Sequence, residues 1–196
     1  MIPRLPEKKR YVDEQSLMLD GFRLGKQVHD SGFNPDFIVG IWRGGSAVGI
    51  VVQECLQYLG IETDHIAIRT SYRGMENYPE MVRNSDRIRV HGLEYLVERL
   101  DADDRLLLVD DVYSSGNSLQ AVQERLRRKL RQNMPQDVRL AAAWYRPIAG
   151  RKPPDFWVNE TTDWLVLPYE LTGLTLDEIR SHKPWAAPIL EPLVSG

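Results

Sequence analysis

Two rhythms of apolar and polar positions alternate along this chain. Short, nearly unbroken apolar runs at Asp36 to Ile41, Asp64 to Thr70, 105–110 and Val138 to Tyr145 read as buried strands. Between them apolar residues return at three- and four-residue intervals, the period of a helix with one buried face. Residues 13–30 are expected to form such a helix, with Asp13 as N-cap, Leu17, Gly21, Phe22, Gly25 and Val28 on one face, and Gly32 as a stop. Ser46 is expected to cap a second helix running to about Leu59, closed by Gly60. A third, from about Asn117 to Arg131, sets Leu119, Val122, Leu126 and Leu130 against a basic face of Arg125, Arg127, Arg128, Lys129 and Arg131. Strand, turn, helix and strand in this order predict an α/β fold, a mostly parallel central sheet flanked by helices.

Residues 71–86 break the rhythm: they are polar, aperiodic and read as a long functional loop. A short strand at 87–90 and a short helix at 92–100 follow. Beyond Tyr145, a Pro- and Gly-rich loop runs from Arg146 to Asp155, and two short aromatic segments, Phe156 to Val158 and Trp164 to Leu167, read as a pair of strands. Thr175 to Glu178 matches a capping box, and the tail with Pro184, Pro188 and Pro192 reads as extended, docked or frayed. The expected organisation is one domain over 1–196: a core at about 13–145, a small C-terminal hood at about 146–182 and a proline-rich tail at 183–196.

Composition narrows the function. The chain has 196 residues, 42% of them hydrophobic, and a net charge of −3. With a pI near 5.8, no global basic balance points to nucleic acid or a membrane surface. The basic helix face reads as a solvated flank with cations near the helix C-terminus. One cysteine, Cys55, excludes an internal disulfide and suits a reducing compartment, and the start, MIPRLPEKKR, lacks a signal-peptide core, so a cytoplasmic location is expected. No apolar run approaches the length of a membrane span. His29, His65, His91 and His182 show no metal-ligand spacing.

The chemistry concentrates at Leu106 to Ser118, LLLVDDVYSSGNS. A buried strand ends in Asp110 and Asp111, and a small hydroxyl-rich loop, Ser114-Ser115-Gly116-Asn117-Ser118, leads into a helix. Backbone N–H groups at that helix start suit a phosphate, and the two carboxylates suit sugar hydroxyls or a hydrated Mg²⁺. A ligand that uses both is a phosphorylated ribose. Upstream, Gly40-Ile41-Trp42-Arg43-Gly44-Gly45 places a guanidinium and spare N–H groups at a strand end, a combination suited to pyrophosphate.

LLLVDDVYSSGNS resembles the 5-phosphoribosyl-1-diphosphate (PRPP) motif of the type I phosphoribosyltransferases: four apolar residues, two acidic residues, then a loop ending in Thr/Ser-Gly-x-Thr/Ser. The resemblance, spread over about residues 13 to 171, implies transfer of a phosphoribosyl group from PRPP to a nitrogenous base, with Mg²⁺, in a homo-oligomer, a dimer or tetramer. It implies catalytic roles for Asp110, Asp111, Ser114 and Arg43. The 5′-phosphate would lie on Ser114, Ser115, Gly116, Asn117 and Ser118, and pyrophosphate on Arg43 and Gly44. Ser71 and Tyr72 would close over PRPP from the loop. Arg146, Trp164 and Glu170 resemble the base-binding hood of the xanthine-guanine and archaeal purine enzymes, which implies a 6-oxopurine acceptor (xanthine, guanine or hypoxanthine). The chain departs from the purine enzymes at two positions: Ser114 replaces the usual proton-transferring Asp, and Arg146 replaces the usual Lys. A serine is a poor general base at neutral pH. The alternatives are a non-catalytic PRPP sensor of the same fold and a transferase for another base.

Overall fold

A computed structural model describes residues 8–72 and 88–194. Met18–Thr162 forms one compact unit, and residues 8–17 with 163–194 form a second. The first unit is built on a six-stranded sheet of β2 (Phe37–Trp42), β3 (Asp64–Tyr72), β4 (Ile88–His91), β5 (Arg105–Tyr113), β6 (Asp137–Tyr145) and β7 (Phe156–Glu160). Their order across the sheet is β4-β3-β2-β5-β6-β7, with every pairing parallel except β3 with β4. The helices are α1 (Glu14–Asp30), α2 (Gly44–Tyr58), α3 (Glu94–Arg99) and α4 (Asn117–Leu130).

The expected parallel sheet is present because its central strands are apolar on both faces, as sheets covered by crossover helices require. Leu106 to Val109 are fully buried. Leu119, Val122, Leu126 and Leu130 of α4 pack with Val39, Ile41, Leu108 and Ile68 in one core. At the base of the sheet, Asp36 accepts two hydrogen bonds from the Arg105 guanidinium (2.9 and 3.0 Å) and a third from its backbone N–H (2.8 Å). These bonds hold the Asp36 carboxyl below the usual carboxylate range. They also tie the starts of β2 and β5 together.

The chain runs from β2 to β3 on one side and continues from β5 to β6 and β7 on the other. Strand order therefore reverses between β2 and β5, the position at which open α/β sheets bind ligands beyond the strand C-termini.

Several expectations change. Ser46 does not cap α2: the helix starts at Gly44 with Arg43 as N-cap, and Ser46 is buried inside its first turn. Ser71 and Tyr72 are not loop residues, since antiparallel pairing with β4 carries β3 through Tyr72, opposite Ile88. The rest of the expected loop, 73–86, lies outside the described residues, as does residue 87 of the expected strand. The two aromatic segments do not pair with each other. Phe156–Glu160 extends the main sheet beside β6, and β8 (Trp164–Val166) pairs in parallel with β1 (Lys9–Tyr11).

That two-stranded sheet belongs to the second unit, with α5 (Leu176–His182) and α6 (Ala187–Val194). The Thr175–Glu178 capping box forms as expected. Glu178 also accepts bonds from Lys9 (2.5 Å) and Tyr11 (2.8 Å), which hold its carboxyl down at about 2. Lys183 is buried, and its ammonium donates to the carbonyls of Leu167 (2.7 Å) and Pro168 (2.8 Å). The tail is not extended: Pro188 sits at the second position of α6, where a helix leaves N–H groups unused anyway. Among the described residues, no helix is long and apolar enough to cross a membrane.

Candidate active site

The first unit brings most of the candidate residues to one edge of its sheet. The parallel strands β3, β2, β5 and β6 are neighbours, spaced by roughly 4.8 Å, and their C-terminal ends carry in turn Ser71 and Tyr72, Arg43 to Gly45, Asp110 to Ser118, and Arg146. Arg146 is fixed there by its backbone N–H, which donates to the Tyr113 carbonyl at 2.8 Å. Trp164 and Glu170 lie in the second unit. Trp164 opens β8, and Glu170 accepts a bond from the Leu167 N–H at 3.0 Å.

The acidic pair closes on its own backbone. An Asp110 carboxylate oxygen accepts from the Asp111 N–H (3.0 Å), and Asp111 accepts from the Val112 N–H (2.8 Å). Burial, and after it the Asp111 charge, push the Asp110 carboxyl well above the usual carboxylate range. Ionised Asp110 thus lacks solvation that hydroxyl donors or a cation would supply.

The loop after the pair encloses a cavity of about 90 Å³ lined by Asp110, Val112, Tyr113 and residues 114–119. Ligand pockets for drug-sized molecules start at roughly 300 Å³, so this one suits a single compact group such as a phosphate. Gly116, at φ 71°, turns the chain into α4; a Cβ there would run into the Tyr113 ring. The N-cap residue, Gly116, has no side chain to cap the helix, and the helix start, with the positive end of its dipole, lines the cavity. Asn117 is 1% exposed, and Ser115 accepts from the Asn117 N–H at 3.4 Å.

The turn after β2 reaches this loop from the neighbouring strand. Gly45, which the sequence reading left without a role, makes the approach: a Cβ on it would stand 2.5 Å from the Val109 carbonyl oxygen and 3.1 Å from a carboxylate oxygen of Asp110. The glycine run was the available signal, since a glycine at a strand-to-helix turn marks close backbone approach. Arg43, which follows a cis peptide bond from Trp42, is exposed beside it.

Two hard oxygen donors side by side suit Mg²⁺, which is usually held by one or two carboxylates together with substrate phosphates. Among the described residues no cluster of three His, Cys, Asp or Glu side chains offers a cage made by protein alone.

A family model described as "Phosphoribosyl transferase domain" matches residues 8–172. No curated protein sequence matches the chain significantly. Three solved structures show the same fold. The purine phosphoribosyltransferase of Pyrococcus horikoshii Ot3 is 22% identical, over 85% of this chain and 97% of that one, with a TM-score of 0.61. The xanthine-guanine-hypoxanthine phosphoribosyltransferase of Helicobacter pylori is 18% identical, over 89% and 100%, at 0.62. A hypothetical protein from Neisseria gonorrhoeae with bound ppGpp is 17% identical, over 91% and 97%, at 0.64. With the motif, the switch-point site and the family match covering most of its length, the chain belongs to the phosphoribosyl transferase domain family and is a phosphoribosyltransferase of the type I fold.

Proposed function

We propose that the protein transfers the phosphoribosyl group of PRPP to a 6-oxopurine, releasing a nucleoside 5′-monophosphate and pyrophosphate. The observation that carries this reading is the meeting of Gly45 and Asp110 at the switch point, which sets a pyrophosphate turn beside a sugar-and-phosphate loop. In this reading the 5′-phosphate occupies the cavity at Ser114–Ser118, Asp110 and Asp111 accept from the ribose hydroxyls, and Arg43 with the Gly44 backbone holds the pyrophosphate. These contacts fix C1 of the ribose for attack. A base nitrogen forms the new bond to C1 as the C1–O bond to pyrophosphate breaks, and the proton that nitrogen carried passes to water. The electron pair leaves with the pyrophosphate, and the Arg43 guanidinium stabilises the charge. Mg²⁺ carried by PRPP, with Asp110 and Asp111 within its donor set, would supply further neutralisation of the pyrophosphate oxygens.

Ser71 and Tyr72 serve as closing contacts from the end of β3. Arg146 donates to the 6-oxo group, Trp164 stacks on the purine, and Glu170 reads the 2-substituent. The xanthine-guanine-hypoxanthine and purine enzymes among the structural neighbours support this acceptor class. The functional unit is a homo-oligomer.

The test is pyrophosphate release from PRPP and Mg²⁺ with xanthine, guanine, hypoxanthine, adenine, uracil and orotate. Turnover with a 6-oxopurine is expected. Turnover only with another base would reject the roles of Arg146, Trp164 and Glu170 and keep the PRPP site. PRPP binding with no turnover on any base would favour the sensor reading, in which Ser114 marks a lost proton acceptor. Replacing Asp110 by Asn and Asp111 by Ala together is expected to abolish PRPP binding in calorimetry, and unchanged binding would overturn the site.

A further inference from the structure

A second cavity in the first unit, of about 580 Å³, opens between β4 and the flank of α4. It is lined by none of the residues of the 5′-phosphate loop cavity: on α4 it begins at Ala121, three residues beyond Ser118, and its Arg125 is seven residues beyond, about 10 Å along the helix axis at 1.5 Å per residue. Its volume falls within the roughly 300–1,000 Å³ of small-molecule sites.

Its lining is unbalanced in charge. Arg89 and His91 come from β4, and Arg125 and Arg128 from α4, with Glu124 the one carboxylate among the lining residues. Glu124 stands 3.8 Å from Arg128. Arg89 and Arg125 make no ion pair among the described residues. Three guanidiniums and one carboxylate leave the lining net positive, and an anion bound there relieves the repulsion among the guanidiniums. Ile88, Val90 and Ala121 add an apolar wall. The β4 side is anchored: Arg89 lies opposite Ser71 in the ladder, and the His91 ring is 3.1 Å from the Ser71 hydroxyl.

We propose that this cavity is a second ligand site, for a small phosphate ester or polyphosphate carrying at least two adjacent phosphate groups, of about nucleoside-diphosphate size. Arg89 and Arg125 grip the phosphates as planar forks, a geometry that lysine does not offer. Arg128 adds charge at the rim, and the apolar wall receives the uncharged body. Bound there, the ligand bridges β4 to α4, two elements that hydrogen-bond or connect directly to the PRPP-site residues at Ser71 and Ser118.

The test titrates inorganic tripolyphosphate, and separately GDP, into the full-length protein by calorimetry. Four proteins are compared: wild type, Arg89→Gln/Arg125→Gln, Arg127→Gln/Lys129→Gln and Arg43→Ala. The third removes two α4 cations that do not line the cavity, and the fourth weakens the pyrophosphate turn. Circular dichroism checks that each variant is folded. Two binding events are expected in wild type. The Arg89/Arg125 variant loses one of them by at least about tenfold in affinity, Arg43→Ala loses the other, and the Arg127/Lys129 variant keeps both. A single event that Arg43→Ala removes would overturn the second site and leave the active-site reading standing. An equal loss in the Arg127/Lys129 variant would reduce the effect to general charge attraction and also overturn it. Loss of neither event in Arg43→Ala, with the Arg89/Arg125 effect intact, would instead count against the pyrophosphate assignment.

Discussion

A methyl group at position 45 has nowhere to go: it would stand 2.5 Å from the Val109 carbonyl oxygen and 2.8 Å from Asp110 Cα. Both obstacles are backbone, so the clash is relieved only by parting the start of α2 from β5 at the site. Gly45→Ala is expected to cost about 1–3 kcal/mol of stability, as overpacking does. It should also raise KM for PRPP at least about tenfold while the fold, read by circular dichroism, persists. A KM equal to wild type would show that the close approach has no part in binding. Asp110 yields a second prediction at this scale. Its carboxyl is held above the usual range by burial and the Asp111 charge, so its ionised form, the one proposed to accept from ribose hydroxyls, is lost on acidification before an ordinary carboxylate would titrate. KM for PRPP should therefore climb on mild acidification, and Asp110→Asn should flatten the climb. A parallel climb in wild type and variant would place the titration elsewhere.

Among the elements, β2 and β5 frame the site: at their starts Asp36 and Arg105 join them, and beyond the end of β2 the Gly45 approach sets the first turn of α2 against β5. Arg105 lowers the Asp36 pKa, so this pair contributes stability above the unfolded carboxylate range and loses it as pH falls through the lower folded value. Both side chains are over a third exposed, and solvent screening keeps the contribution near 1 kcal/mol despite the two-pronged geometry. Asp36→Asn should lower Tm by about 2–4 °C at neutral pH, with the difference from wild type shrinking in acid; a constant difference would assign the loss to packing. These central strands were legible in the sequence because Leu106 to Val109 is apolar on both faces, which a helix-flanked parallel strand requires. Partnership was less legible. Phe156–Glu160 and Trp164–Val166 look alike as short aromatic runs, but their partners, β6 and β1, are set by distant chain. Strand β1, Lys9–Tyr11, has no apolar pattern to betray it, and β8 supplies its hydrogen bonds. The three prolines of the tail argued against a helix, because proline is hostile to helix interiors; Pro184 precedes α6 and Pro188 falls in its first turn, while Pro192 lies in it against that preference. At the site, Asp110 to Ser118 was legible as a contiguous motif, whereas the role of Gly45 rests on Asp110, 65 positions away on a neighbouring strand.

At the level of the whole molecule, the residues assigned to PRPP and those assigned to the acceptor are distributed unevenly along the chain. Every candidate for phosphate, ribose and pyrophosphate falls between Arg43 and Ser118 in the first unit, while two of the three acceptor candidates, Trp164 and Glu170, belong to the second. The second unit also has its own fastenings. Buried Lys183 ties down the carbonyls of Leu167 and Pro168, and Glu178 joins α5 to Lys9 and Tyr11. Heritable change can therefore act on the two kinds of recognition separately. On the proposed assignments, a lineage drifts from one base to another through substitutions near positions 164–170 with the sugar-phosphate chemistry kept whole, because no residue proposed for one task is proposed for the other. The donor half is the conservative inheritance of such a chain, and the acceptor half is where new substrates are tried.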